Sequence, residues 1–488
     1  MSGREAGTAL EDIRGRLQAA RTAQPAWAQI GVRARLERLR QVRHLIAERA
    51  GELVAAVEEH RSRPPGQTLT AEVIPLADAV RFLERRAARL LAPRKLGRRD
   101  RPWWLAGLRS EVLREPYGVV LVVGPSNYPL FLPGVQVLQA LAAGNAVLLK
   151  PAPGGRAAAA ALAELLADAG LEPALCSVLP DSVEAGEAAV AAGPDKVVLT
   201  GSARTGRIVL GALAEQIVPA TVELSGCDAV FVRPDADLDM AVRAVAFGLR
   251  LNDGATCISP RRVFVSHVLA DQFVKRLAES LSEAPPCEVG PAVTRTLGPL
   301  LDEALQGGAR LAVGRVEPPK VYGPVVVAGA RASMGLLRED IFAPVVSIVP
   351  VAGDEEALEN DRLCPYALGA SVFGADRGAR RLAARIEAGV VVVNDMIAPT
   401  ADPRVPFGGR RRSGYGVTRG AEGLLAMTRV KVLLVRRGRW RPHYDAPVEA
   451  TGRLGECYLN AAHARGVWAR VRSAVGMLAT MARMRRER

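Results

Sequence analysis

The sequence predicts an α/β fold with two parallel-sheet domains. From Gly118 onward, short runs of aliphatic and β-branched residues alternate with Ala- and Leu-rich stretches, the pattern of buried parallel strands joined by helices. The alternation comes in two blocks, changing near Leu224 to Asp228. A chain of 488 residues exceeds one ordinary core, and 49% hydrophobic with 24% charged residues is a globular composition.

The elements follow in order. The first hundred residues read as helix. In ARLERLRQVRHLIAERAGELVAAVEEH, Leu36, Leu39, Val42 and Ile46 recur at helical spacing, with Arg and Glu on the other faces. LRSEVLREPYGVV reads as an extended arm before the first buried strand. VVLVVG (119–124), NAVLLK (145–150) and KVVLTG (196–201) are strands, and GVQVLQALAAG, RAAAAALAELLADAG and TGRIVLGALAEQI are helices. The second block gives RVFV, the helix LADQFVKRLAESL, VVSIVPV, GASVFG, the helix ARRLAARIEAG, and VVVVN (390–394). After KVLLV (431–435), RRGRWRPHYDAP reads as a linker. In the last stretch Val467, Trp468, Val471, Val475, Leu478 and Met481 share one face. That stretch is either a helix packed on protein or a basic helix resting on an anionic membrane.

Totals narrow the function classes. Six cysteines lie far apart without CxxC pairs, and five histidines show no ligand spacing with them, so neither a disulfide scaffold nor a metal site is expected. The N-terminus lacks the apolar core of a signal peptide, and no apolar run approaches the roughly 18 residues of a membrane span. A reducing, cytoplasmic setting is expected. The net charge of +14 comes from arginines spread along the whole chain, with no aromatic-interleaved basic patch, so nucleic acid is not expected as a partner.

Four stretches carry candidate chemistry. LNDGATCISPRR sets Cys257 in a short polar segment, as a packing residue, a metal ligand or a nucleophile. TVELSG puts Glu223 at the end of a strand, where a buried carboxylate is costly unless paired or used as a base. GPSNYPLFLPG places Asn127 just past a strand, to form a turn or to donate to an oxyanion. KVVLTGSARTGRIVL is a strand, a glycine-flanked loop and a helix. There Gly201 and Gly206 allow close backbone approach to a phosphate, although the spacing is not the dinucleotide fingerprint. Lys150, ending another strand, is a second candidate for cofactor contact.

Taken together, GPSNYPLFLPGVQVLQALAAGNAVLLKP, VVLTGSARTGR, TVELSG, LNDGATC, REDIFAPV, GVVVVN and PFGGRRRSGYG resemble the aldehyde dehydrogenase superfamily in order and spacing. Cys257 follows Glu223 by 34 residues, the separation of that family's base and nucleophile motifs. The resemblance covers about residues 10 to 436, and the NYP triplet is closest to the branch acting on medium- and long-chain aldehydes. It implies two Rossmann-like parallel α/β domains plus a β-arm: a coenzyme-binding domain over 1–224 with a bridging arm near 97–115, and a catalytic domain over 225–427. An oligomerisation strand over 428–436 and a basic amphipathic extension over 437–488 complete the layout.

The resemblance also implies roles. Cys257 attacks the aldehyde, Asn127 and the Cys257 N–H stabilise the oxyanion, hydride passes to nicotinamide, and Glu223 activates the water that hydrolyses the thioester. Keeping Glu223 points to a free acid, since coenzyme-A-dependent relatives generally lack this base. Pro125, Ser126, Lys150, Gly201, Ser202, Gly206, Leu224, Asp340 and Phe342 fall at cofactor positions, and Tyr128 and Leu130 at the substrate entrance. MIAPTADPRV (396–405) approaches that entrance, and Arg404 is its candidate for a substrate carboxylate. Where many relatives read K-P-x-E, this chain reads KPAP. Pro153 thus replaces a ribose-binding glutamate and Arg156 stands nearby, which leaves NAD or NADP open. Asp340 stands for a glutamate, Ala343 for a glycine and Ala255 for a glutamine; Ser225 and Cys227 also depart from the common pattern. The expected activity is oxidation of a hydrophobic aldehyde by a homodimer or tetramer. The competing readings are a catalytically silent relative acting as a binding protein and an acyl-coenzyme-A-forming enzyme.

Overall fold

The computed structural model describes residues 3–486, apart from 61–62, 103–104, 106, 318–319, 439–440, 442–443, 445 and 447. Part of the linker-like RRGRWRPHYDAP and of the 97–115 arm therefore lies outside the described residues. The chain forms two compact units, Met1–Arg94 with Val112–Lys431, and Lys95–Glu111 with Val432–Arg488.

Among the described residues the first unit holds a two-stranded sheet, Tyr366–Ala367 with Arg410–Arg411, and two large ones. One has six strands in the order Gly414–Tyr415, Ala220–Leu224, Lys196–Gly201, Val119–Val123, Ala146–Lys150, Cys176–Val178. All pair in parallel except Gly414–Tyr415, which runs antiparallel with Gly414 opposite Glu223. The chain leaves Val119–Val123 toward Ala146–Lys150 on one side and later returns to Lys196–Gly201 on the other. The crevice at the C-terminal ends of these strands is thus a topological switch point, where such sheets take ligands. The helices Gly31–Glu48 and Ile74–Leu90 cover this part of the fold, and Leu36, Leu39, Val42 and Ile46 are buried, as their spacing predicts.

The second sheet has eight strands. Its parallel core orders Lys320–Ala328, Val345–Val351, Pro260–Ser266, Asp228–Val232, Gly369–Phe373 and Val390–Val393. Arg310–Glu317 and Cys287–Glu288 add antiparallel to Lys320–Ala328. The helices Leu238–Arg250 and Pro291–Gln306 and the Arg310–Ala328 hairpin were not singled out by periodicity. Residues 414–415 pair with the first sheet, and the helix Gly420–Ala426 follows them.

The second unit holds most of a three-stranded sheet, ordered Arg94–Leu96, Leu108–Pro116, Thr428–Arg436. Its two C-terminal helices, Glu449–His463 and Val467–Arg486, bury Met477 and Thr480. Val467, Trp468, Val471, Val475 and Leu478 form an exposed stripe. Met481 is half-buried at the margin of this stripe.

One buried ion pair organises the loop beside the switch point. Glu72, in a π-helical turn Leu69–Val73, is fully buried. Its Oε2 accepts the backbone N–H groups of Leu130 (2.8 Å) and Phe131 (3.0 Å), and its Oε1 accepts from Arg63. The carboxylate thus caps the helix Phe131–Ala142, where its charge and the unpaired N–H groups favour each other. Arg63 in turn lies 5.4 Å from the Tyr128 ring centroid. Removing one partner leaves the other charge buried, so Glu72→Gln is expected to cost about 3–5 kcal/mol, read from the urea midpoint. Adding Arg63→Met should recover part of that loss.

Candidate active site

Four strand ends and one loop from the second sheet build the site. Past Val119–Val123 the turn begins at Gly124, whose N–H bonds to the Lys150 carbonyl at 2.9 Å. Asn127 follows, 4% exposed. Its Oδ1 accepts from the Tyr128 N–H (3.0 Å), its Nδ2 donates to the Ala255 carbonyl (3.0 Å), and its own carbonyl accepts from Asn252 Nδ2 (3.1 Å). The Tyr128 hydroxyl meets Thr256 Oγ1 at 2.6 Å. These bonds seat the 252–257 loop on the Asn127 turn. Gly254 has φ +69°, and a Cβ there would lie 2.6 Å from the Pro344 nitrogen, so the loop needs glycine at this point. Arg261, buried behind the loop, donates to the carbonyls of Gly254 and Ala343 and ties it to the segment carrying Asp340 and Phe342.

Cys257, Glu223 and Asn127 line one cavity of about 670 Å³, together with Pro125, Ser126, Lys150, Gly201, Ser202, Leu224, Asp340 and Phe342. The cavity extends between Val190 and Ile208 to Glu215 and Gln216, giving a dinucleotide both apolar walls and length. Lys150 Nζ donates to the Asp181 carbonyl at 3.1 Å, and burial holds its ammonium below the usual lysine range. Ser202 caps the helix Ala203–Gln216, accepting from the Thr205 N–H at 3.1 Å, so that helix presents its N-terminus beside the cavity.

Burial dominates the electrostatics. It pushes the Glu223 carboxyl up, against the pull of Arg419 and of the Thr418 hydroxyl, which donates to Glu223 Oε2 at 3.1 Å. Glu223 Oε1 is buried with no hydrogen-bond partner. Burial also raises the Cys257 thiol, with Glu223, Asp228 and Asp340 adding to the rise and Arg419 opposing it. Asp340 is pushed up to about 6, again by burial.

Several expected residues sit elsewhere. Tyr128 and Leu130 do not line the cavity. Leu130 is 1% exposed, because its backbone is held by Glu72 and its side chain packs in the core. Gly206 serves packing: a Cβ there would meet the Leu224 methyls at 2.7 and 2.8 Å. Arg156 is exposed at a helix start, outside the cavity lining, and Arg404 is exposed and engaged with Asp402. Sequence reasoning missed Glu72, Arg261, Thr418 and Arg419. A carboxylate in the otherwise apolar run AEVIPL was the one signal for Glu72.

A cysteine, a carboxylate and a side-chain amide converging on a switch-point cavity define an α/β enzyme with one large ligand crevice. The aldehyde dehydrogenase family profile matches residues 4–433. A 4,4'-diapolycopene aldehyde oxidase of a Methylomonas species is 29% identical over 85% of this chain and 79% of its own. Two solved structures superpose with a TM-score of 0.81 at 28% identity. The NADP-dependent glyceraldehyde-3-phosphate dehydrogenase of Bacillus halodurans C-125, complexed with NADP, matches over 88% of this chain and 91% of its own. The Mycobacterium tuberculosis aldehyde dehydrogenase, complexed with NAD+, matches over 88% and 92%. The chain belongs to the aldehyde dehydrogenase family.

Because a Cβ at Gly206 would press on Leu224, which lines the cavity, Gly206→Ala is expected to cost about 1–3 kcal/mol by overpacking. It should also weaken NADH or NADPH binding, measured by cofactor fluorescence. Unchanged affinity with lowered stability would confine Gly206 to the core.

Proposed function

We propose that this protein oxidises a hydrophobic aldehyde to the carboxylic acid with NAD or NADP, using Cys257 as nucleophile, Glu223 as base and Asn127 as oxyanion donor. The observation that carries this reading is the convergence of the three on one cavity with room for a dinucleotide. Residues up to Leu224 would bind the cofactor and those from Ser225 to Met427 would carry the nucleophile. Lys150, Ser202, Leu224, Asp340 and Phe342 would hold the cofactor.

Cys257 adds as thiolate to the aldehyde carbon, and the resulting alkoxide takes hydrogen bonds from the Asn127 amide and the Cys257 N–H. A nicotinamide, when bound, supplies the hydride acceptor. Glu223 keeps one oxygen on Thr418 and leaves Oε1 to draw a proton from the water that cleaves the thioester. The cysteine is then released as thiolate and the product as a free acid.

The substrate's apolar character is supported by Leu132, Val123 and Phe342 in the cavity wall. The Methylomonas relative, named for a diapolycopene aldehyde, also supports it. A homodimer or tetramer is supported by the strand Thr428–Arg436 at the edge of its sheet. Val430, Val432 and Leu434 on one face and Leu433 and Val435 on the other are all exposed. Among the described residues no helix is long and apolar enough to cross a membrane. We extend the proposal to peripheral membrane contact of a cytoplasmic protein, through the Val467–Leu478 stripe. Trp468 is 83% exposed, and Arg470 and Arg472 lie on the same helix, which has no acidic residue.

Reduced-nicotinamide absorbance with decanal should rise with NAD or NADP and vanish in Cys257→Ala. Glu223→Gln should give one equivalent of reduced nicotinamide per site and then turn over about 10²–10⁴-fold more slowly. Higher kcat/KM for short polar semialdehydes than for C8–C16 aldehydes would overturn the substrate class. Since burial raises the Cys257 thiol, the thiolate fraction, and with it kcat/KM, should keep rising from neutral pH into the alkaline range. In flotation assays the full chain should rise with phosphatidylserine vesicles and not with phosphatidylcholine alone. Trp468→Ser should abolish the association.

A further inference from the structure

The arginines are spread along the whole chain, but their excess over carboxylates is not. The second unit, 74 residues in Lys95–Glu111 and Val432–Arg488, holds 17 of the 65 Lys and Arg residues and 6 of the 51 Asp and Glu residues. It therefore carries +11 of the net +14. Within that unit a cleft of about 570 Å³ is lined by Lys95, Arg98, Arg101, Arg109 and Arg437, with Glu111 as the one carboxylate among its described residues. A folded turn makes its wall. Asp100 holds the left-handed backbone (φ +60°), the Arg101 N–H donates to the Arg98 carbonyl at 3.3 Å, and Arg101 Nη1 donates to the Leu108 carbonyl at 2.6 Å. The Arg437 N–H joins the other side to the Gly107 carbonyl at 3.2 Å. Among the described residues none of the five cations makes an ion pair. Like charges gathered in this way raise the potential of the cleft, and an anion relieves it.

We propose that this cleft binds closely spaced phosphate groups, those of an anionic phospholipid headgroup or of a soluble polyphosphate. Guanidinium groups present paired N–H donors that match phosphate oxygens, and four of the five cations are arginines. The volume suits a group larger than a single phosphate. Of the two sources the unit favours the headgroup. Its helix Val467–Arg486 exposes Trp468, Val475 and Leu478, carries arginines along its length and has no acidic residue. That source rests on the membrane contact proposed above, whereas the cleft itself rests neither on it nor on the dehydrogenase reading.

Calorimetric titration of the full chain with tripolyphosphate at physiological salt tests the cleft. Binding is expected, with inorganic phosphate far weaker; no binding would overturn the site. Arg98→Gln with Arg109→Gln, both exposed, should weaken it by about 10-fold or more, as two charge-assisted contacts are lost. Arg453→Gln with Arg472→Gln removes equal charge from the same unit outside the cleft and should stay within about twofold of the parent. Equal weakening in both double variants, or none in the first, would overturn the site. So would displacement of tripolyphosphate by NADH, which would put the phosphates in the dinucleotide cavity, or by a single-stranded oligonucleotide, which would turn the unit over to nucleic acid. Flotation separates the two sources. Phosphatidylcholine vesicles carrying cardiolipin, with its two phosphates, should lift the parent more strongly than vesicles carrying phosphatidylserine at equal charge. The cleft variant should lose that difference, and equal flotation with both lipids would overturn the headgroup source. Tripolyphosphate binding without any flotation would sink the membrane contact and leave the cleft to a soluble polyphosphate. Neither readout needs turnover, so a protein that oxidises no aldehyde would lose the dehydrogenase reading and keep the cleft.

Discussion

The site depends on a carboxylate that never touches it. Glu72 is fully buried, yet it satisfies two N–H groups at the start of the helix Phe131–Ala142 and balances Arg63. The turn that carries Asn127 ends on that helix, so its position is inherited from the Glu72 cap. Asn127 then seats the 252–257 loop through Ala255 and Asn252, and Cys257 stands at the end of that loop. A charge buried in the first hundred residues thereby sets the place of a thiol in the loop that leads into the second sheet.

Desolvation is the common constraint on the groups so placed. Glu223, Asp228, Asp340 and Cys257 all have the charged form disfavoured by burial. For Glu223 the rise brings a carboxylate into the range of a useful base. For Cys257 it works against the form that reacts. Arg419 opposes that rise.

The strands were legible because each is a short, continuous apolar run: Val119–Val123 and Lys196–Gly201 are buried almost throughout, Val390–Val393 is a half-buried edge strand, and all lie close to their expected bounds. The residues of the cavity wall were legible through motifs, since Glu223, Asn127 and Cys257 each stand at a strand end or in a polar loop. Other parts were not. Periodicity marks that a residue is buried and does not name its partner, so Glu72 read as one more helical position. Leu130 follows the motif residues toward the entrance, yet its side chain packs in the core, and Gly206, a candidate for phosphate approach, sits where a Cβ would press on Leu224. Thr418 and Arg419 carry no local signal: their meaning comes from Glu223, 195 residues earlier. The spacing of the C-terminal stripe marks an exposed face over Val467, Trp468, Val471, Val475 and Leu478, with Met481 half-buried at its margin.

That separation bears on how the molecule is made. The tight return at Gly414, whose Cβ would lie 2.0 Å from the Val222 carbonyl oxygen, closes the first sheet with a strand near the end of the family-like region. During synthesis at about 5–20 residues per second, Glu223 waits roughly 10–40 s before Thr418 has been added to the chain. Until then the nascent sheet keeps an open edge along Ala220–Leu224, and a carboxylate bound for the interior faces solvent. The ribosome thus releases the base well before the residues that govern it, so no nascent fragment ending before Thr418 holds the finished chemistry.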